Sequence, residues 1–215
     1  MKYETKIILE KTFIDHPDLI QCQSDLILAW EILIKSYKNN GKLLLCGNGG
    51  SAADCEHIVG ELMKGFVLKR PIPEDYKQKI KNKYPENAQH LIDNLQGALP
   101  AISLVSHVAL NSAFSNDVSA DMCFAQQVYG YGDTGDVLIA LSTSGRSINV
   151  CNAGQVANIK GMKTIAIIGS VGGYLASLSD CVIKLPSTET YKIQEETLVL
   201  YHCLCAMLER EMFDS

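Results

Sequence analysis

No apolar run in this chain approaches the roughly 18–20 residues that a membrane-spanning helix needs. The opening stretch MKYETKIILEKTFIDHPDL carries charge throughout and lacks the unbroken apolar core of a secretory signal. Basic residues are not in excess: 19 Lys and Arg stand against 24 Asp and Glu, and the net charge of −5 gives no footing to a nucleic-acid binder. A C-x-x-C pair is missing, although eight cysteines are present. Cys22, Cys46, Cys55, Cys123, Cys151, Cys181, Cys203 and Cys205 are scattered, mostly inside apolar runs where a thiol behaves as a small hydrophobe. These absences predict a reduced, cytoplasmic protein without disulfides. The 47% apolar fraction in 215 residues is enough for one domain with a sizeable core, and it excludes a disordered chain.

Residues 2–38 read as one or two helices, with Ile7, Ile8, Phe13 and then Leu26, Ile27, Trp30, Leu33, Ile34 and Tyr37 at helical spacing. Asn39, Asn40 and Gly41 stop that pattern. Five short apolar runs follow as candidate strands: 42–46 (KLLLC), 101–105 (AISLV), 136–141 (DVLIAL), 163–168 (KTIAII) and 181–185 (CVIKL). Helical stretches separate them, at about 51–66, to about 160, and in a long C-terminal helix over 187–210. Strands alternating with helices predict an α/β fold, a parallel doubly wound sheet covered on both faces. Residues 69–90 stand apart, with Lys69, Arg70, Lys77, Lys79, Lys81 and Lys83 among Pro71, Pro73 and Pro85. They read either as a solvated surface insertion or as a lid bringing positive charge to an anionic ligand.

Two loops suit a phosphorylated ligand. In such sheets, ligands bind beyond the carboxyl ends of the strands, where the strand order reverses. Ser142-Thr143-Ser144-Gly145-Arg146-Ser147 places four hydroxyls and free backbone N–H groups at a helix start, where anions are favoured. A helix N-cap needs only one of those hydroxyls. Gly47-Asn48-Gly49-Gly50-Ser51-Ala52 matches G-x-G-x-x-A, but a dinucleotide site also needs an acidic residue ending the next strand. That strand ends Val105-Ser106-His107, so the glycines are read as letting a small polar ligand approach the backbone, with no nucleotide cofactor.

His57 and Glu61 are four apart and share a helix face. Gln194 and His202 are eight apart, only about 80° from alignment after two turns. If the two helices converge, two imidazoles, a carboxylate and an amide meet. That set suits a borderline metal such as zinc, and equally proton transfer at neutral pH. The bland alternatives are a helix-surface pair for His57 and Glu61 and a satisfied core histidine for His202.

Taken together, Cys46–Ser51 with His57 and Glu61, Asn116-Asp117, Ser142–Gly145 with Ser147, Gly161-Met162-Lys163 and Ile193-Gln194-Glu195 with His202 resemble the sugar isomerase (SIS) fold and, within it, the phosphoheptose isomerases. The resemblance spans nearly the whole chain apart from residues 67–97. It implies a single domain with a five-stranded parallel sheet in flavodoxin-like order, and a homotetramer with active sites at subunit boundaries. The implied activity is aldose–ketose isomerisation of sedoheptulose 7-phosphate to D-glycero-D-manno-heptose 7-phosphate. It further implies that Ser142, Thr143, Ser144 and Ser147 hold the phosphate, while Asn48, Gly49, Gly50, Ser51, Asn116, Asp117 and Gln194 line the sugar site. His57, Glu61, Gln194 and His202 match zinc ligands, and Glu61 with His202 match the acid/base pair. Replication-initiator-binding relatives keep the loops but generally lack counterparts of Glu61 and His202; the alternative reading is such a binding protein, acting through a partner. Arg146 is larger than the small polar residue usual there, and the residues before Gln194, Glu189-Thr190-Tyr191-Lys192, do not show the acidic residue expected immediately upstream.

Overall fold

The computed structural model describes residues 1–213. The N-terminal helical stretch is two helices, α1 (Tyr3–Asp15) and α2 (Gln23–Lys38), divided at His16-Pro17 by a 3-10 turn over Pro17–Cys22. Proline cannot continue α1 but starts the turn well. The turn that ends α2 places Asn40, rather than Gly41, in the left-handed region (φ 61°), and the Gly41 N–H returns to Ser36 O at 2.9 Å.

Five strands follow with their crossovers. β1 (Leu43–Cys46) leads to α3 (Gly50–Met63), α4 (Glu74–Lys83) and α5 (Ala88–Asn94). After β2 (Ala101–Ser103) come α6 (Val108–Phe114), a π turn over Ser115–Ser119, a 3-10 turn over Ala120–Met122, and α7 (Cys123–Tyr131). β3 (Val137–Leu141) and α8 (Ile148–Ile159) precede β4 (Lys163–Ile168) and the single-turn α9 (Tyr174–Ser177). β5 (Cys181–Lys184) and the 24-residue α10 (Thr190–Phe213) complete the chain. All pairings are parallel, in the order β2-β1-β3-β4-β5. The unbroken apolar runs LLLC and VLIAL are central strands buried on both sides, as parallel sheets require.

Alternate strand residues enter two different layers. Leu43, Leu45, Val137 and Ile139 pack with α1, α2, α3 and α10, while Leu44, Cys46, Leu138 and Ala140 pack with α7, α8 and α9. Asp136, expected in β3, instead sits just before it, buried, accepting from the N–H groups of Lys42 (2.9 Å) and Asp133 (2.8 Å) and from Lys42 Nζ (2.6 Å). All eight cysteines are free and buried. Among the described residues no helix is long and apolar enough to cross a membrane.

The 67–97 segment is more ordered than a solvated loop. Ile72, Ile80 and Ala88 form a small core of their own with Leu91 and Ile92. Arg70, counted above among its surface charges, is 1% exposed and ion-paired with Glu209 of α10, because the segment folds back onto the end of α3.

Candidate active site

β1 and β3 lie side by side, yet the chain leaves them toward opposite layers, α3 on one and α8 on the other. The crevice between their loops is the switch point of the sheet. Asn48 and Asn149 span it, exchanging two amide hydrogen bonds of 2.9 Å each. Asn149, on the first turn of α8, has no motif to announce it in the sequence. Gly49 takes a positive φ (56°) just ahead of α3, and Ser51 is buried in the first turn of that helix. In the serine loop, Ser142 is buried and lies 3.0 Å from Ser147, hydroxyl to hydroxyl, while Ser144 Oγ accepts from the Arg146 N–H at 3.2 Å. Thr143, Ser144 and Arg146 line a cleft of about 170 Å³ whose far wall is Ser170, Ser187 and Thr188. The hydroxyl lining therefore continues into two loops that sequence reading left out. Ser170 is the second residue after β4, the same place in its unit that Thr143 occupies after β3, and that repeat of position was the available signal.

The second half of the site joins α3 to α10. His57 Nε2 lies 3.1 Å from Glu61 Oε1, the four-residue spacing expected of one helix face. His202 Nε2 lies 3.5 Å from His57 Nε2, with the rings 4.9 Å apart and nearly perpendicular. The Tyr201 hydroxyl, 2.9 Å from His57 Nδ1, occupies the far nitrogen of that ring, leaving Nε2 toward Glu61 and His202. Tyr201 is buried beside Asp54 and escaped notice because it sits in the apolar run Leu198–Cys205. Phe66 covers His202 at 5.6 Å between centroids. Lys64 donates to Glu61 Oε2 at 3.2 Å, so both carboxylate oxygens have partners, and the Glu61 side chain is only 12% exposed. His202 is thus half-buried against His57, Tyr201 and Phe66 rather than enclosed in the core. Burial lowers its pKa from the ordinary histidine value, the charge of His57 lowers it further, and Glu61 opposes both. The ring is neutral at pH 7 as a result. Asp54 moves the other way: burial raises its carboxyl, against the Tyr201 hydroxyl and His57.

Three expected members, Gln194, Asn116 and Asp117, stand apart from that cluster. Gln194 lies at the opposite end of α3, where a Cβ on Gly50 would fall on its amide. His57, Glu61 and His202 are paired neighbours, but among the described residues no three or more His, Cys, Asp or Glu side chains stand together as a ready metal cage. Asn116 donates to its neighbour Asp117 at 2.8 Å; both are exposed on the π turn, which packs on α6 and the 3-10 turn before α7. No hydrogen bond among the described residues ties them to the α3–α10 cluster.

A parallel sheet in this order, with a hydroxyl cleft beside its switch point, has the form of a sugar isomerase domain, and residues 20–89 and 87–169 match the SIS domain model. The phosphoheptose isomerase of Chromohalobacter salexigens is 35% identical over 191 residues, covering 87% of this chain and 84% of that protein. That of Burkholderia pseudomallei is 37% identical over 180 residues, covering 84% and 78%. The solved phosphoheptose isomerase of Francisella tularensis superposes with a TM-score of 0.72 at 28% identity, over 94% of this chain and 98% of that one. The chain belongs to the SIS domain family and, within it, to the phosphoheptose isomerases.

Proposed function

We propose that this chain interconverts sedoheptulose 7-phosphate and D-glycero-D-manno-heptose 7-phosphate through an enediol, with Glu61 and His202 as the acid/base pair. The observation that carries this reading is the convergence of Glu61, His57 and His202 from two remote helices within 3.5 Å contacts. In the ketose-to-aldose direction, Glu61 takes a proton from C1, beside the C2 carbonyl, giving the cis-enediolate with its charge on O2. His202, neutral at pH 7, accepts a proton from one hydroxyl oxygen and gives one to the other. Glu61 returns its proton to C2, so no proton is gained or lost. Each positioned proton-transfer group is worth about 10²–10⁴-fold. Tyr201 aims the His57 ring, and Phe66 shields His202 from water. Incubation with sedoheptulose 7-phosphate and assay for heptose 7-phosphate tests the reading: conversion supports it, whereas tight binding without conversion supports a sugar-phosphate-binding protein.

Thr143, Ser144, Ser142 and Ser147 hold the phosphate at the start of α8 in this reading, with Asn48, Gly49, Gly50 and Ser51 against the sugar. Arg146, on the same cleft, adds a cation. Ser144→Ala then raises KM about three- to tenfold and changes kcat less, the loss expected of one hydrogen bond to a charged group. Steady-state kinetics check this, and an unchanged KM removes Ser144 from the cradle. Gln194, whose amide lies against Gly50, lines the sugar site in this reading, whereas Asn116 and Asp117 join it only with rearrangement or a second subunit.

Zinc is proposed on His57, Glu61, His202 and Gln194. Two imidazoles, a carboxylate and an amide oxygen are chemically suitable, and a bound ion would polarise the substrate oxygens. Gln194 has to leave Gly50 to join, so no proton step above runs through the metal. Elemental analysis of the purified protein is expected to find about one zinc per chain, lost in His57→Ala; none after zinc supplementation contradicts the ligand set.

A homotetramer is also part of the proposal. The 198–208 stretch of α10 is apolar nearly all round, but α1, α2 and α3 pack on α10 within the chain. One run of exposed apolar side chains falls on residues 108–131, where Val108, Leu110, Val118, Met122, Tyr129 and Tyr131 are exposed. Light scattering at micromolar concentration is expected to give a tetramer; a monomer contradicts the assembly. The buried free thiols suit the reduced cytoplasm proposed as its compartment.

A further inference from the structure

The candidate base sits on the last turn of α3. The carbonyls there have no partners within the helix, and such ends fray. Two of them, on Glu61 and Leu62, are taken by a single buried guanidinium: Arg70 donates from Nη2 to Glu61 O at 2.9 Å and from Nη1 to Leu62 O at 2.7 Å. Its Nε donates to Glu209 Oε1 on α10 at 2.6 Å. The Glu209 carboxylate also accepts from the backbone N–H groups of Phe66 and Val67, at 2.8 Å each, and of Leu68 at 3.0 Å. Both side chains are completely buried, and the Phe213 ring lies 4.8 Å from the guanidinium carbon. A buried ion pair is a poor source of net stability compared with a well-packed apolar pair. This one instead ties three parts of the site together: the turn carrying Glu61, the segment carrying Phe66, and the helix carrying His202.

We propose that Arg70 and Glu209 are positioning residues for isomerisation, locking the last turn of α3 to α10 and so setting Glu61 against His202. The proposal rests on Glu61 being the base. Lysine keeps the charge but is a point donor on a flexible stem, without the planar fork that reaches two carbonyls and a carboxylate at once. A displacement of about 1 Å at a reacting group costs on the order of a hundredfold in rate.

The test compares kinetics of the full-length protein with sedoheptulose 7-phosphate, per mole of folded protein, for wild type, Arg70→Lys and Ile80→Ala. Ile80 belongs to the small core of the same segment and takes no part in the hydrogen bonds of the ion pair, so its variant destabilises the segment without cutting the lock. Arg70→Lys is expected to lose at least about tenfold in kcat with KM within about twofold, while Ile80→Ala keeps kcat within about twofold. Should Arg70→Lys not fold, Glu209→Gln is expected to give the same split. Normal kcat in the folded Arg70 or Glu209 variant overturns the proposal, and so does an equal loss in Ile80→Ala, which would reduce the ion pair to a stability element. If wild type itself gives no conversion, the isomerase reading falls and takes this inference with it, an outcome visible before any variant is measured.

Discussion

Glu61→Gln lowers kcat by at least about a hundredfold while leaving sugar-phosphate binding intact. The expectation follows from what the substitution keeps and removes. The amide preserves the size of the side chain on the last turn of α3 and can still accept from Lys64 through its oxygen, 3.2 Å from Lys64 Nζ in the native chain. It cannot take a proton from carbon. The serine loop, at the carboxyl end of β3, is built from other elements and is untouched, so the Kd for sugar phosphate stays within about threefold on this account. Single-turnover kinetics with calorimetric binding separate the two quantities. Near-normal turnover removes Glu61 as the base.

The second large effect is expected at a glycine. Gly173, in the loop after β4, runs so close to the serine loop that an added Cβ falls on the Gly145 carbonyl and lies 2.7 Å from Ser144 O. Those neighbours are backbone, so neither can swing aside as a side chain would. Gly145 itself takes a positive φ (63°), which limits how that loop can yield. Gly173→Ala therefore pushes apart the two walls of the hydroxyl cleft. Overpacking of this kind costs about 1–3 kcal/mol, and KM for the sugar phosphate is expected to rise at least about tenfold, with kcat falling less. Tm drops by several degrees, by about 2–4 °C per kcal/mol for a chain of this length. A KM within about twofold of wild type would separate that loop from phosphate binding.

Much of the fold was legible because central parallel strands carry their own signature. LLLC, VLIAL and KTIAII are unbroken apolar runs ending in Gly- or Ser-rich loops, and all three became strands. The edge strand was shorter than its apolar run: β2 pairs with β1 over three residues, and Leu104, whose N–H still reaches Leu45 O at 2.9 Å, and Val105 lie beyond it. The 67–97 segment was the least legible. Its charges and prolines describe its exposed face, whereas its structure depends on Arg70 meeting Glu209, 139 residues away, and no local pattern reports that pairing. The coming together of His57, Glu61 and His202 followed from helix periodicity plus one assumption, that α3 and α10 share a layer, and they do. Tyr201 and Asn149 were invisible for a different reason. Each acts on a partner more than 100 residues distant, Tyr201 on His57 and Asn149 on Asn48.

The most direct test of a shared proton-transfer centre is conversion of sedoheptulose 7-phosphate by the wild-type protein in heavy water, followed by NMR of the heptose after the equilibrium has cycled many times. Transfer through an enediol with exchange at Glu61 predicts deuterium on C2 of the aldose and on C1 of the ketose. Conversion with protium retained at both carbons would mean that hydrogen moves without passing through an exchangeable group, and the roles given to Glu61 and His202 would be wrong.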